Sequence, residues 1–481
     1  MSQTRIAACI SLPLEQKTLV NVVEKAKDWA LMHGVGMRDR KHFNKDVIQI
    51  APFTLLPSPF PKSEFEKAVE LQPILNELMH KVAHDDDFLT NTLQNALQVD
   101  EFTASLYDIW TKVRKEEVVQ SVNMGLFRSD YLMQQSDKCK IKQVEFNTVA
   151  TSFGAIATYL PTMSRYILRQ LGHGDLIKNM PENRALSGLC AGIIEAYDLF
   201  GVPSAVVLFV VEEVSYNICD QRFHEFEISE KRPDIMIHRM TLTEIYEECQ
   251  LNEKKQLMID GNPVAVVYYR SGYEPAQYPT TKEWDARLRV ERSTAIKCPS
   301  IHYQLAGTKK VQQALAAPGV LEKFMGEGAS TSRVRDIFTG LYSLDFDENG
   351  ERAVEMALAD AERFVLKPQR EGGGNNMYGA EVREALLRMR HSRERAAYIL
   401  MERILPPLVP GYVVRPGATG PPPIVDLVSE LGIYGVIIGT KDKVLHNKQV
   451  GHVLRSKLAD ANEGGVAAGL GALDSPYLIT M

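Results

Sequence analysis

Apolar residues recur at helical spacing over 15–32, where Leu19, Val22, Val23, Ala26, Trp29 and Ala30 fall on one stripe. The same spacing predicts helices over 63–84, 88–98 and 102–120, so the first 120 residues read as mostly helical. Pro52, Pro57, Pro59 and Pro61 fall after the first helix and predict a connector. From about 142 to 345 the pattern alternates between strand and helix, as α/β architecture requires. Its clearest strands lie at 143–147, 205–211 and 264–269. The last two are Val-rich and lack polar alternation, as strands buried on both faces do. Farther on, strands are expected at 363–367 and 398–405 and helices after 345 and near 381–394. Seven of the 24 prolines fall between Pro406 and Pro423, which predicts turns and loop there. Alternating strands follow from Ile424, then a Gly/Ala-rich loop over 464–469.

At roughly 150 residues per domain, 481 residues predict about three lobes. Lys+Arg total 55 against 61 Asp+Glu, a net charge of −6 that offers no cationic footprint for nucleic acid. No apolar run reaches the roughly 18 residues of a membrane span. Cys9, Cys139, Cys190, Cys219, Cys249 and Cys298 have neither CxxC nor zinc spacing, and read as thiols of a reducing compartment, the cytoplasm by default. His84-Asp85-Asp86-Asp87 stands just before a predicted helix, where aspartates serve as caps.

The densest chemistry lies in Lys367-Pro-Gln-Arg-Glu-Gly-Gly-Gly-Asn-Asn-Met-Tyr378. A strand delivers Lys367 at its end, and the glycines let backbone N–H groups converge on an anion. Lys367 and Arg370 supply charge for phosphates, and Glu371 could hold magnesium beside them. GxxxxGK[ST] is absent, so this is no P-loop. In Gln143-Val-Glu-Phe-Asn147, alternation puts Glu145 and Asn147 on one face and Val144 and Phe146 on the other. Two oxygen ligands so placed suit magnesium; a solvated strand face fits them equally. If extended, Arg128 and Asp130 also share a face, and the Arg128 fork would suit a substrate carboxylate, though a surface ion pair fits too. Arg270 and Tyr273 follow a buried strand, where open α/β sheets bind ligands. Arg455 and Lys457 stand two apart on another strand, and Glu430 would fit a ribose or metal contact. Together they suit ATP and a multiply carboxylated substrate.

On these residues the chain resembles the eukaryotic-type glutathione synthetases of the ATP-grasp superfamily. The matching stretches include Arg128-Ser-Asp-Tyr131, Val144-Glu-Phe-Asn-Thr148, Ser152-Phe-Gly154, Asn217-Ile-Cys-Asp-Gln-Arg222 and Tyr269-Arg-Ser-Gly-Tyr273. They continue through Gln304-Leu-Ala-Gly-Thr-Lys-Lys310, the Lys367 segment, Ile399-Leu-Met-Glu402, Ser429-Glu-Leu-Gly432 and Val450-Gly-His-Val-Leu-Arg-Ser-Lys457 to the Gly/Ala loop. In family order, they span about 125–475.

The resemblance implies an α/β ATP-grasp protein: a main body, an inserted Rossmann-like substrate lobe and an ATP-grasp lid. It places a helical region and part of the body at 1–203, the substrate lobe at 204–305, more body at 306–342, the lid at 343–423 and the rest of the body at 424–481. Implied magnesium ligands are Glu145, Asn147 and Glu371, holding two ions that bridge ATP phosphates. Lys309 and Lys367, with Gly372, Gly373 and Asn376, would hold the phosphates. Tyr378, Met401, Glu402, Ile404, Glu430, Lys457 and Glu463 would complete the ATP site. Arg128, Ser152, Asn217, Gln221, Arg270 and Tyr273 would bind γ-glutamylcysteine, and Arg455, Val466 and Ala467 would close on glycine. Arg128, Lys367 and Arg455 are the implied catalytic set. A cytoplasmic homodimer is implied, with no nucleic-acid or membrane partner. Ala150, Ser271 and Glu463 depart from the family's usual Ser, Asp and Asp. Ala150 and Glu463 leave open an acceptor other than glycine, such as β-alanine; a non-catalytic ATP-binding protein is the other alternative.

Overall fold

The computed structural model describes residues 3–116, 118–462, 465–466 and 470–481. The main sheet runs in the order Val409–Val414, Phe53–Thr54, Gly471–Asp474, Lys443–Leu458, Ile424–Thr440, Asn123–Gln134, Lys140–Asn147. Val409–Val414 pairs again with Ile424–Thr440, so the first five strands close on one another. Helices Lys62–Ala83 and Ala185–Phe200 cover Ile424–Thr440. Residues 431–439 of this strand are buried throughout, which accounts for their unbroken run of apolar residues and glycine.

A second sheet occupies the expected substrate lobe. Met236–Met240, Val206–Val210, Asn262–Tyr269 and Ile296–Cys298 run parallel, and Leu257–Ile259 and Gln250–Leu251 extend it antiparallel. Val206–Val210 is buried at every residue, as its lack of alternation predicts. The third sheet is antiparallel, in the order Leu341–Ser343, Tyr398–Glu402, Phe364–Pro368, Met377–Tyr378. With helices Glu348–Ala359 and Ala380–Met389 it encloses its own core of Leu344, Val354, Phe364, Leu366, Leu386 and Leu400.

Three expectations change. The Pro52–Pro61 stretch is more than a connector, because Phe53–Thr54 enters the main sheet and Ser58–Pro61 pairs parallel with Pro476–Ile479. Prolines are tolerated in this pairing because it has only two strands, so each keeps one open edge. The Pro406–Pro423 segment is not all loop: Val409–Val414 lies in it and belongs to the main sheet, while the lid sheet starts at Leu341 and ends at Glu402. Predicted helix ends also overshoot, at Lys115 rather than 120 and at Met389 rather than 394. Asp85 is the cap of Asp86–Leu93, accepting from the Phe88 N–H at 2.8 Å. No helix among the described residues is long and apolar enough to cross a membrane.

Candidate active site

One cleft lies where the lid sheet faces the main sheet. Its floor comes from the cross-strand register: Asp130 opposite Glu145, Arg128 opposite Asn147, and Glu430 opposite Arg455. The register skips Val144, a bulge that turns it toward the cleft instead of to the far side with Phe146. The freed Val144 carbonyl accepts from Lys367 Nζ at 2.9 Å, tying the lid to the body.

Glu145, Asn147, Lys367, Glu371, Gly372, Gly373, Asn376 and Tyr378 all line this cleft. So do Met401, Glu402, Ile404, Glu430 and Lys457, together with Arg128, Ser152, Tyr273, Arg455 and Val466. Gly372, Gly373 and Gly374 have φ of +93°, +73° and +82°, which explains the three glycines: a side chain would strain each. Met401 and Ile404 are buried beside Val365 and give an apolar wall suited to a flat ring. Glu402 accepts from Arg363 and from the Tyr342 hydroxyl.

Lys309 lies beneath the cleft, 4% exposed, between Glu145 at 3.1 Å and Glu371 at 2.9 Å. Burial pushes the Glu145 carboxyl up, but Lys309, Lys367, Arg128 and Arg455 together pull it below the carboxylate range. Burial, with Glu145 beside it, leaves Glu371 above that range, and burial likewise raises Glu430. Burial lowers Lys367, and Lys309 adds to the effect. A buried lysine disfavoured in its charged form gains when an anion arrives, so Lys367 favours a phosphate neighbour. Two carboxylates and the Asn147 amide oxygen are hard donors, and the ammonium between the carboxylates marks a place for positive charge; the set fits magnesium.

Arg128 clamps Asp130 with Nε at 2.6 Å and Nη2 at 2.8 Å. It is no surface pair, since the two side chains are 6% and 0% exposed. Arg270 donates to the Ser152 hydroxyl at 3.0 Å and to Asp220 at 3.1 Å. Arg455 pairs with Glu430 and with Asp130. The Nε atoms of Arg270 and Arg455 are buried with no partner among the described residues.

Lys309, Asn217, Gln221 and Arg270 stand behind the cleft lining. Asn217 begins the helix Ile218–Lys231, and Gln221 accepts from Arg239 at 2.7 Å. Arg370 is not with the phosphate-facing group; it pairs with Asp100, the cap of Glu101–Lys115. Glu463 and Ala467 lie outside the described residues. Sequence reasoning missed Asp130 and Asp220 as site residues, although both sit inside motifs it singled out. Asp220 accepts from the Phe153 and Ala155 N–H groups, both at 2.9 Å, at the start of helix Gly154–Gln170, and so ties that turn to Arg270.

The backbone matches that of a glutathione synthetase-like effector from Globodera pallida with a TM-score of 0.78. The match covers 97% of this chain and 98% of that one at 24% identity, and shows the fold alone. With its cleft between lid and body, the molecule is an ATP-grasp protein. Residues 16–478 match the model of the eukaryotic glutathione synthase ATP-binding domain. Glutathione synthetases of Xenopus laevis and Homo sapiens are each 43% identical, with 97% of this chain and 98% of theirs aligned. A chloroplastic glutathione synthetase of Arabidopsis thaliana is 38% identical over 477 residues, 97% of this chain and 86% of its own length. The chain therefore belongs to the eukaryotic glutathione synthetase family.

Proposed function

We propose that this protein joins γ-glutamylcysteine to glycine at the expense of ATP, giving glutathione, ADP and phosphate. The observation that carries the reading is one cleft lined by Glu145, Glu371, the glycine-rich loop, Arg128 and Arg455, with Lys309 behind the lining bridging the two glutamates. Phosphate-handling and carboxylate-handling groups thus meet where a phosphoryl group would pass to a carboxylate.

The cysteinyl carboxylate attacks the γ-phosphorus of ATP, ADP departs, and an acyl phosphate forms. The glycine amine then attacks the acyl carbon, phosphate leaves, and the nitrogen gives up its proton. Arg128, with Ser152 and Tyr273, orients the donor; Arg270 supports them through Ser152. Asn217 and Gln221 extend that donor site. Lys309 and Lys367 offset phosphate charge, and Gly372, Gly373 and Asn376 hold the phosphates from the loop. Tyr378, Met401, Glu402 and Ile404 enclose the base, and Glu430 and Lys457 hold the rest of the nucleotide. Arg455 and Val466 hold glycine, and the glycine-rich loop excludes water from the acyl phosphate. Glu145, Asn147 and Glu371 would hold two magnesium ions. When bound, magnesium offsets charge on the phosphate oxygens.

We place the protein in the cytoplasm as a homodimer. All six cysteines are free, which suits a reducing compartment. Met32, Val47 and Ile48 are exposed apolar residues on segments flanking the Gly36–Met37 and Gln49–Ile50 pair, which suits a covered surface. Phosphate release with ATP and magnesium, run with glycine, β-alanine or no acceptor, tests the reading. Glycine-dependent glutathione supports it, preference for β-alanine moves it to the neighbouring ligase, and no release overturns it. Light scattering of the purified protein reads the assembly state.

A further inference from the structure

We propose that Asp130 is the positioning residue that sets the metal, donor and acceptor groups of this site in register. The inference rests on the function proposed above and concerns a residue that contacts none of the reactants. Its side chain is 0% exposed on the floor of the cleft.

One carboxylate reaches three groups of different assignment. Asp130 Oδ1 accepts from Arg128 Nε at 2.6 Å. Its Oδ2 accepts from Arg128 Nη2 at 2.8 Å, Asn147 Nδ2 at 2.9 Å and Arg455 Nη2 at 3.0 Å. A carboxylate can only accept, so it must take the NH2 end of the Asn147 amide. That turns the amide oxygen away from Asp130 and leaves it available as a hard ligand. The same bonds fix the planes of two guanidinium groups, the one proposed to orient the donor carboxylate and the one proposed to hold the acceptor.

The fold makes room for this joint. A Cβ on Gly432, in the adjacent strand, would lie 2.7 Å from Asp130 Oδ1 and 2.9 Å from Arg128 Cδ. Gly432 stands directly opposite Asp130 in the sheet, and Glu145 opposes Asp130 on the other side. A buried carboxylate saturated by arginines and an amide holds the orientation of each more firmly than separate surface pairs would. Partners that orient metal ligands in this way are typically worth about 10–100-fold in metal affinity or activity.

The test is Asp130→Asn in the full-length protein, with folding verified by circular dichroism. Calorimetric binding of ATP is measured across a magnesium titration, and KM is measured for γ-glutamylcysteine and for glycine. About tenfold weaker magnesium-dependent ATP binding is expected, with KM raised for both amino-acid substrates. In an Asn147→Ala background the substitution should add nothing further to the magnesium effect. A merely structural Asp130 would lower the melting temperature and leave both KM values and the magnesium dependence in place; that result overturns the proposal. So does an equal weakening with and without Asn147. If Asp130→Asn does not fold, Asp130→Glu keeps the charge while moving it by a methylene. Wild-type magnesium dependence in that variant overturns the proposal, and a raised magnesium requirement supports it. Failure of the wild type itself to bind ATP with magnesium or release phosphate overturns the function and this inference together. A normal wild type with an unaltered Asp130→Asn overturns this inference alone.

Discussion

Lys367, at the end of a lid strand, donates to the main-chain oxygen of Val144 in the body at 2.9 Å, so one ammonium spans the cleft between the two sheets. That carbonyl is free because the sheet bulges there. In this position the lysine holds the lid near the body, beside the glycine-rich loop.

Lys367→Ala should therefore act on turnover more than on folding. We expect kcat to fall about 100-fold or more, roughly 2.7 kcal/mol, in line with loss of one preorganised charge-stabilising group. Steady-state phosphate release on a variant with an unchanged circular dichroism spectrum checks this.

Lys309→Met leaves Glu145 and Glu371 facing each other without their shared cation. Removing one partner of a buried pair strands the other, so the ligand-free protein should lose about 2 kcal/mol, less than a fully buried pair because both carboxylates are partly exposed. Melting should drop by a few degrees, and magnesium should restore more of it in the variant than in wild type.

Asp220→Ala removes the acceptor shared by Arg270 and two N–H groups at the start of helix Gly154–Gln170. KM for γ-glutamylcysteine is expected to rise about tenfold, equivalent to one charged hydrogen bond, while KM for ATP stays near its wild-type value. Equal changes in both constants would contradict a role at the donor end.

Gly432→Ala should cost about 1–3 kcal/mol through overpacking against Asp130 and Arg128. Gly432→Ala should also depress activity well beyond what its melting temperature suggests. Parallel denaturant and kinetic measurements separate the two effects.

Stability should fall in mild acid. Burial, with His84 beside it, lowers His80 to about 4, and burial lowers His452 to about 3. Burial lowers His84 and His302 as well. Each of these is neutral when folded, while the unfolded chain takes up protons below about 6.5. The unfolded state then binds more protons, so the stability present above pH 6.5 is lost progressively as pH falls toward 4. Urea midpoints at pH 7.5, 6 and 5 should decline in that order, and His80→Asn should flatten the decline.

The parts legible from sequence are those whose chemistry is local. A strand ending in Lys367, three glycines and Glu371 occupy one short segment, and the structure gathers Lys367, Glu371, Gly372 and Gly373 on one cleft. Val-rich runs without alternation predicted the parallel strands of the second sheet for the same reason. Asp130 was not legible as a joint, because its partners Asn147 and Arg455 are 17 and 325 residues away and meet only through sheet register. The Val144 bulge was hidden too, since simple alternation predicts that side chain on the opposite face. Arg370 looked like a phosphate ligand because its partner, Asp100, lies 270 residues off.

The closure of the main sheet on itself has a temporal side. Thr54 and Asp474, whose side chains bond at 2.7 Å, are separated by 420 residues of chain. During synthesis Phe53–Thr54 must wait for Gly471–Asp474 before it gains that neighbour, whereas the lid sheet draws all its strands from one continuous span. The lid and substrate lobe can therefore mature on the ribosome while the body is still open, and long-range closure comes last. Phe53–Thr54 waits longest of all, because the other four strands of the closed ring come from residues 409–474.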